Sequence, residues 1–226
     1  MTVTCVIPAW NEEPRIAAVL DAVISHPLVD QVVVVDDGST DATVAVATAK
    51  KATVLVQAQN CGKSVAVARG LACAEGDLIL LLDADLIGLT AEHVTALVAP
   101  VLAGRAAASI SLRKNAPRPW HWIGLDYISG ERVMPRSLLT GHLDHIAALR
   151  RFGLEVFLND LWIAARLGLK VVCLPGVCSP TKSRKHGLIA GAISDVAMLA
   201  DIFRTVPPLK VLRQILRLRR MARTVT

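Results

Sequence analysis

Short apolar runs alternate with polar loops through roughly the first ninety residues. The runs at residues 3–7, 31–35, 53–57 and 78–82 are dominated by Val, Ile and Leu. They are too short to span a membrane and too evenly apolar for half-exposed strands, so they predict strands buried on both faces, as in a parallel sheet. Residues 13–25 carry Ile16, Val19, Leu20, Val23 and Ile24 at helical spacing, residues 42–50 are rich in Ala and Val, and a third helical segment ends at Cys73. Strand–helix units whose polar loops fall on the same side predict a Rossmann-like, mainly parallel α/β sheet with helices on both faces.

The second half is less regular. A strand is expected near residues 107–112, a helix near 155–167, a strand at 170–174 and a polar loop over 176–186. The stretch from Pro117 to Trp122 is interrupted by proline, and helices are expected over most of 188–203 and 209–222, parted by Pro207 and Pro208. These boundaries divide the chain into a body, residues 1–204, and a C-terminal helix, residues 205–226. In that helix Lys210, Arg213, Arg217 and Arg220 recur on one face, with Leu209, Leu212, Ile215 and Leu216 gathered toward another.

A 226-residue chain that is 53% hydrophobic can bury a sizeable core, which excludes a disordered protein. Its five cysteines are odd in number and form no Cys-x-x-Cys pair, so reduced thiols are expected and neither a disulfide nor a structural zinc site. No basic region followed by an apolar one precedes the first strand, and the most apolar later segment, 188–203, is broken by Asp195 and Asp201. A cytoplasmic location is expected. The net charge of +6 is uneven: no acidic residue follows Asp201, whereas Arg204, Lys210, Arg213, Arg217, Arg219, Arg220 and Arg223 do. This asymmetry points the tail toward an anionic surface, such as the cytoplasmic face of a membrane, and leaves the chemistry of the body untouched.

Chemistry concentrates where the predicted strands end. Asp83 and Asp85 stand behind the 78–82 run, at the carboxyl end of a buried strand, where open α/β sheets bind ligands. Two carboxylates there repel unless a cation lies between them, and oxygen ligands suit Mg²⁺ or Mn²⁺, ions that also grip nucleotide phosphates. The plainer alternative is that one Asp caps the next helix while the other is solvated. The 31–35 strand likewise delivers Asp36 and Asp37 to a turn at Gly38, and the first strand leads into Pro8-Ala9-Trp10-Asn11-Glu12-Glu13, where Asn11 is also a plausible helix cap. Gly62-Lys63 has the look of a phosphate loop, but residue 57 is Gln, so the full P-loop pattern is absent. A lysine at a helix start is nonetheless well placed to meet a phosphate.

Taken in order, Pro8 to Glu13, Asp36 to Asp41, Asn60 to Lys63 and Gly76-Asp77 leading to Asp83-Ala84-Asp85-Leu86 resemble the family 2 glycosyltransferases of the GT-A fold. The likeness covers residues 3 to 90, and Ser129-Gly130-Glu131-Arg132 and Phe152-Gly153-Leu154-Glu155-Val156 extend it to the smaller bacterial members. The resemblance implies that Pro8, Ala9, Trp10, Asn11, Glu12, Asp37 and Gly38 hold the base and ribose of a nucleotide-sugar. Lys63 would face the donor phosphates, Asp83 and Ala84 the ribose side, and Asp85, with Asp83, an Mg²⁺ or Mn²⁺ ion. Many relatives add a histidine to the metal from the loop matching residues 176–180; none stands there, and His186 is the candidate substitute. The acceptor-activating carboxylate of relatives corresponds to Glu155 or Asp160.

The expected function is metal-dependent transfer of a sugar from a UDP- or GDP-sugar. A polyprenyl phosphate at the membrane surface is the first acceptor considered, because the basic tail and the indoles of Trp120 and Trp122 suit a lipid interface. The alternative is a soluble transferase with a small phosphorylated or hydroxylated acceptor, which needs Asp160 or Glu155 as a base where a lipid phosphate does not. A silent module whose tail holds nucleic acid is the third reading, but aromatics are only 4% of the chain and do not alternate with its basic residues, so no nucleic-acid partner is expected.

Overall fold

The computed structural model describes residues 1–180, 202–204 and 206–223. Among the described residues seven strands form one sheet: β1 (Val3–Ala9), β2 (Gln31–Asp36), β3 (Thr53–Val56), β4 (Leu78–Leu81), β5 (Ala108–Arg113), β6 (Arg132–Pro135) and β7 (Leu169–Leu174). Their order is β3-β2-β1-β4-β6-β5-β7. The pairs β1/β2, β1/β4, β2/β3 and β5/β7 are parallel, whereas β6 runs antiparallel to both β4 and β5. The sheet is therefore mainly parallel, as the hydrophobic runs predict. β6 is not legible in the pattern, because it has only four residues, opens on a charged one and closes on proline.

Helices α1 (Glu13–Val23), α2 (Thr43–Ala49) and α4 (Ala91–Leu102) cover one face, and α3 (Lys63–Ala72), α5 (Arg118–Ile123), α6 (Leu143–Ala148), α7 (Gly153–Ala164) and α8 (Pro208–Arg223) the other. The central strands feed both cores by the two-residue alternation of extended chain. In β1, Val3, Cys5 and Ile7 point into one cluster and Val6 into the other; around β4, Leu78, Leu80 and Leu82 oppose Ile79 and Leu81. The Pro-interrupted stretch folds as α5, with Pro119 in the first turn, where its missing N–H costs nothing. The helix expected over 188–203 and the loop over 176–186 lie largely outside the described residues.

From β1 the chain steps outward to β2 and β3 and then returns to β4 on the other side of β1. That reversal opens a crevice beyond the carboxyl ends of β1 and β4.

The expected division at residue 204 does not separate two cores. Val211, Ile215 and Leu218 of α8 are buried in the cluster that holds Trp120, Tyr127 and Trp162. Gln214, also buried, accepts a hydrogen bond from the Tyr127 hydroxyl and donates to the Val156 carbonyl and the Asp160 carboxylate. The amphipathic face also differs from the one expected: Ile215 packs inward, while Leu209, Leu212 and Leu216 are exposed.

Leu218→Ala is expected to cost about 2–5 kcal/mol, because a fully buried side chain leaves a cavity. Chemical denaturation would show it, and truncation after Val206 should unfold the body as well; a shortened protein with an unchanged melting temperature would contradict this packing.

Candidate active site

Each wall of the crevice is the end of a strand. Pro8, Ala9, Trp10 and Glu12 follow β1, Asp37 follows β2, Asn60, Gly62 and Lys63 lead into α3, Asp83, Ala84 and Asp85 follow β4, and Phe152 precedes α7. Together they line a cavity of about 700 Å³, within the range that accommodates a nucleotide-sized ligand. Trp10 is 52% exposed at its rim, where an indole can stack on a base.

Asp37 does not present a free carboxylate. Oδ1 accepts hydrogen bonds from Gln57 Nε2 (2.7 Å) and the Cys61 N–H (2.8 Å), and Oδ2 accepts one from the Gly62 N–H (2.8 Å). It thus shapes the loop that brings Asn60, Gly62 and Lys63 to the cavity, and any contact it makes with a base or ribose comes only after those bonds. Gly38 sits behind this loop at φ 73°, with Gln59 so close that a Cβ would lie 2.6 Å from its carbonyl carbon. Asn11 is neither a helix cap nor part of the cavity wall. Its amide oxygen accepts the Thr40 N–H (2.8 Å), its own N–H donates to Ser39 Oγ (2.9 Å), and the two strand-end loops are thereby laced together.

The floor is a line of charges. Lys63 Nζ lies 2.7 Å from Asp83 Oδ1 and 3.1 Å from Glu155 Oε1. Burial works against the charge on Asp83, but Lys63, with Arg113 and Arg132 behind it, holds its carboxyl below the usual value. Desolvation likewise opposes the charge on Lys63, and the two carboxylates outweigh it and raise its pKa. Asp85 has no ion-pair partner among the described residues. Burial first, then the carboxylates of Asp83 and Glu12, push it up to about 6, and its buried Oδ1 has no hydrogen-bond partner among the described residues. An orphaned, reluctantly ionised oxygen beside a second carboxylate fits a divalent cation.

No group of three or more metal-type side chains occurs among the described residues. Asp83 and Asp85 are a donor set of the kind that holds Mg²⁺ where phosphate and water complete the shell. His186, the candidate third ligand, lies outside the described residues.

The two candidate bases separate. Glu155, in the first turn of α7, is buried beside Lys63, with Oε2 unbonded among the described residues. Asp160 belongs elsewhere: it pairs with Lys210 at 2.7 Å, accepts from Gln214 and faces α8. Five residues turn a helix by about 140°, so the two cannot share a face.

Behind Asp83 stands a platform built around the Ser129-Gly130-Glu131-Arg132 motif, to which the sequence assigned no role, and around Arg113, which no motif contained. Arg113, at the end of β5, bridges Asp126 (3.2 Å) and Glu131 (3.4 Å). Glu131 also accepts from Ser111 and Ser129. The Arg132 guanidinium, fully buried over Trp162, donates to Ser129 O, Tyr127 O and Asn159 Oδ1. Gly130 lets this turn press on the site, since a Cβ there would come within 2.6 Å of Asp83 Oδ1. The strand-end rule that singled out Asp83 also applies to Arg113, and Phe152 opens the Phe152-Gly153-Leu154-Glu155-Val156 motif; those were the available signals.

The chain matches Glycosyl transferase family 2 over residues 4–157. It belongs to that family. Glucosyl-3-phosphoglycerate synthase of Mycobacterium tuberculosis (strain ATCC 25618 / H37Rv) is 38% identical over 112 residues, 46% of this chain and 35% of that protein. Dolichyl-phosphate beta-glucosyltransferase of Drosophila melanogaster is 36% identical over 101 residues, 38% of this chain and 31% of that protein. The matches thus span about a third of these relatives' own length. The crystal structure of the M. tuberculosis synthase with Mn²⁺, UDP-glucose and glycerol 3-phosphate superposes with a TM-score of 0.67 at 29% identity, covering 90% of this chain and 79% of that one. The same synthase has been solved with Mg²⁺ and UDP (TM-score 0.66, 29% identity). The architecture of this family 2 member is the GT-A fold.

Asp85→Asn should stabilise the metal-free protein. A carboxyl held near 6 in the native state, against an ordinary 3.8, binds more protons folded than unfolded, so stability falls as pH rises between these values and stays lowered above them. At pH 7.5 the variant is expected to melt roughly 2–4 °C higher, a gain that fades toward pH 4, and Mn²⁺ should raise the melting temperature of the parent more than that of the variant. Equal melting curves at both pH values would remove Asp85 from the strained position described here.

Proposed function

We propose that this protein transfers a glycosyl group from a UDP-sugar to a small phosphorylated acceptor, assisted by Mg²⁺ or Mn²⁺. The observation that carries this reading is a second cavity of about 440 Å³, lined by Lys63, Arg151, Phe152, Glu155 and Arg204 and sharing Lys63 and Phe152 with the first. A cleft with an acidic metal corner thus opens onto a smaller chamber with basic walls, where an anionic acceptor would be held by charge. The acceptors of the relatives support the choice, phosphoglycerate being named for the mycobacterial synthase and dolichyl phosphate for the insect enzyme. The mycobacterial match is the longer, and a small anion fits the chamber, so the polyprenyl phosphate first expected from the tail takes second place.

In this scheme Asp85, with Asp83, would hold the cation, which would supply positive charge to the departing diphosphate. Lys63 is the resident positive charge on the same path; its bond to Asp83 yields partly to the donor phosphates. As the bond from the anomeric carbon to the diphosphate breaks, one forms to the acceptor hydroxyl, whose proton passes to Glu155. With Asp160 turned toward α8, Glu155 is the carboxylate within reach. Trp10 and the loop shaped by Asp37 hold the nucleoside.

The test is a melting-temperature screen of UDP- and GDP-sugars with Mn²⁺, followed by transfer assays on 3-phosphoglycerate and on a polyprenyl phosphate. Stabilisation by a UDP-sugar and turnover on the small phosphorylated acceptor are expected; turnover confined to the lipid would reverse the order of the two readings. Asp85→Asn should lower turnover on the order of 10²-fold or more. The double variant Arg151→Ala/Arg204→Ala should raise KM for the acceptor about tenfold with donor KM unchanged, and the opposite split would place those arginines on the donor.

A further inference from the structure

The outward face of α8 carries features that neither the cleft nor the core uses. Leu209, Leu212 and Leu216 recur at helical i, i+3 and i+7 positions and are 69%, 53% and 49% exposed. They lie opposite the buried Val211, Gln214, Ile215 and Leu218, so the helix is apolar on two sides. Arg213, Arg217 and Arg220 are exposed along one flank of the leucine ridge, and Arg219 is half-buried on the other. No acidic residue occurs after Asp201. Arg219 and Ala222 share a groove with Ile123 and Gly124, which brings the end of α5, with the 83% exposed Trp122, beside the C-terminal half of α8.

We propose that this face docks on an anionic lipid bilayer. Three exposed leucines in a row form an apolar patch that water disfavours, and arginines beside it sit where guanidinium groups reach lipid phosphates while the leucines enter the acyl boundary. The charges select the occupant. A second copy packed on the same face would bring its arginines against their equivalents with no carboxylate on α8 to offset them, whereas an anionic headgroup layer pairs with all of them. The surface is independent of the acceptor: lipid binding here requires no turnover and holds whichever acceptor the cleft takes. Lys210 is excluded from the contact, because Asp160 holds its ammonium at 2.7 Å.

Sedimentation of the full-length protein with vesicles decides the matter. Binding to phosphatidylcholine–phosphatidylglycerol vesicles is expected at low salt, reduced at high salt and absent from phosphatidylcholine alone. Leu209→Ser/Leu212→Ser/Leu216→Ser should lower partitioning at least tenfold with an unchanged melting temperature, since the three side chains are exposed; Leu212→Glu alone should act in the same direction. Arg213→Gln should weaken binding about fivefold, the factor typical of one basic residue at an anionic surface. The proposal fails if the parent protein ignores anionic vesicles at low salt or if the leucine variants bind undiminished. It fails equally if the ridge instead drives a concentration-dependent dimer that the leucine variants abolish.

Discussion

The site depends on a shortage of positive charge at the carboxyl ends of β1 and β4. The sheet reverses direction there and gathers Asp83, Asp85, Glu12 and Glu155 around one crevice; Arg15 pairs with Glu12, and Lys63 reaches in to Asp83 and Glu155. Lys63 pairs with one oxygen each of Asp83 and Glu155, and Asp85 is left with a raised pKa and an Oδ1 that has no partner among the described residues. A divalent ion held by Asp85 and Asp83 would offset this charge.

The layer beneath is built of mutually paired charge, although Arg113 Nε, Asp126 Oδ1 and Glu131 Oε1 have no hydrogen-bond partner among the described residues. Arg113, Asp126, Glu131 and Arg132 are nearly or wholly withdrawn from water, a placement that costs several kcal/mol per ion unless each meets close partners. They meet one another, Ser111, Ser129, Asn159 and two backbone carbonyls. The antiparallel insertion of β6 makes this possible, since it carries Arg132 and the Ser129–Glu131 turn under Asp83. Burial opposes ionisation of Asp126, while its bond to Arg113 works the other way, so removing Arg113 would leave a buried acid pair facing Asp83.

Much of this was legible from residue pattern. Parallel strands buried on both faces announce themselves as continuous apolar runs, and the residues just past them, Asp37, Asp83 and Asp85, fall where a doubly wound sheet binds ligands. What was not legible depended on side-chain direction across long sequence separations. Asp37 and Asn11 read as ligand contacts, yet each is engaged by backbone N–H groups some 24 to 29 residues away. β6 was hidden because a strand flanked on both sides by antiparallel neighbours, opening on a buried arginine, lacks the apolar run by which the others were found. The leucines of α8 were assigned to a single face, whereas the core chose the stripe through Val211, Gln214, Ile215 and Leu218, and that choice turned Leu209, Leu212 and Leu216 outward.

α7 explains why two carboxylates on one helix have unrelated roles. Its first turn places Glu155 against Lys63 in the cleft, and its second presents Asp160 to Lys210 and Gln214 of α8. The helix is buried along Leu154, Leu158 and Trp162, and braced at its middle by the bond from Arg132 to Asn159. A rigid element held in this way fixes the distance between the acceptor chamber and the basic surface of α8. The body and the C-terminal helix are consequently one mechanical unit: whatever surface α8 rests on, the chamber lined by Lys63, Arg151 and Glu155 is carried at a set orientation to it.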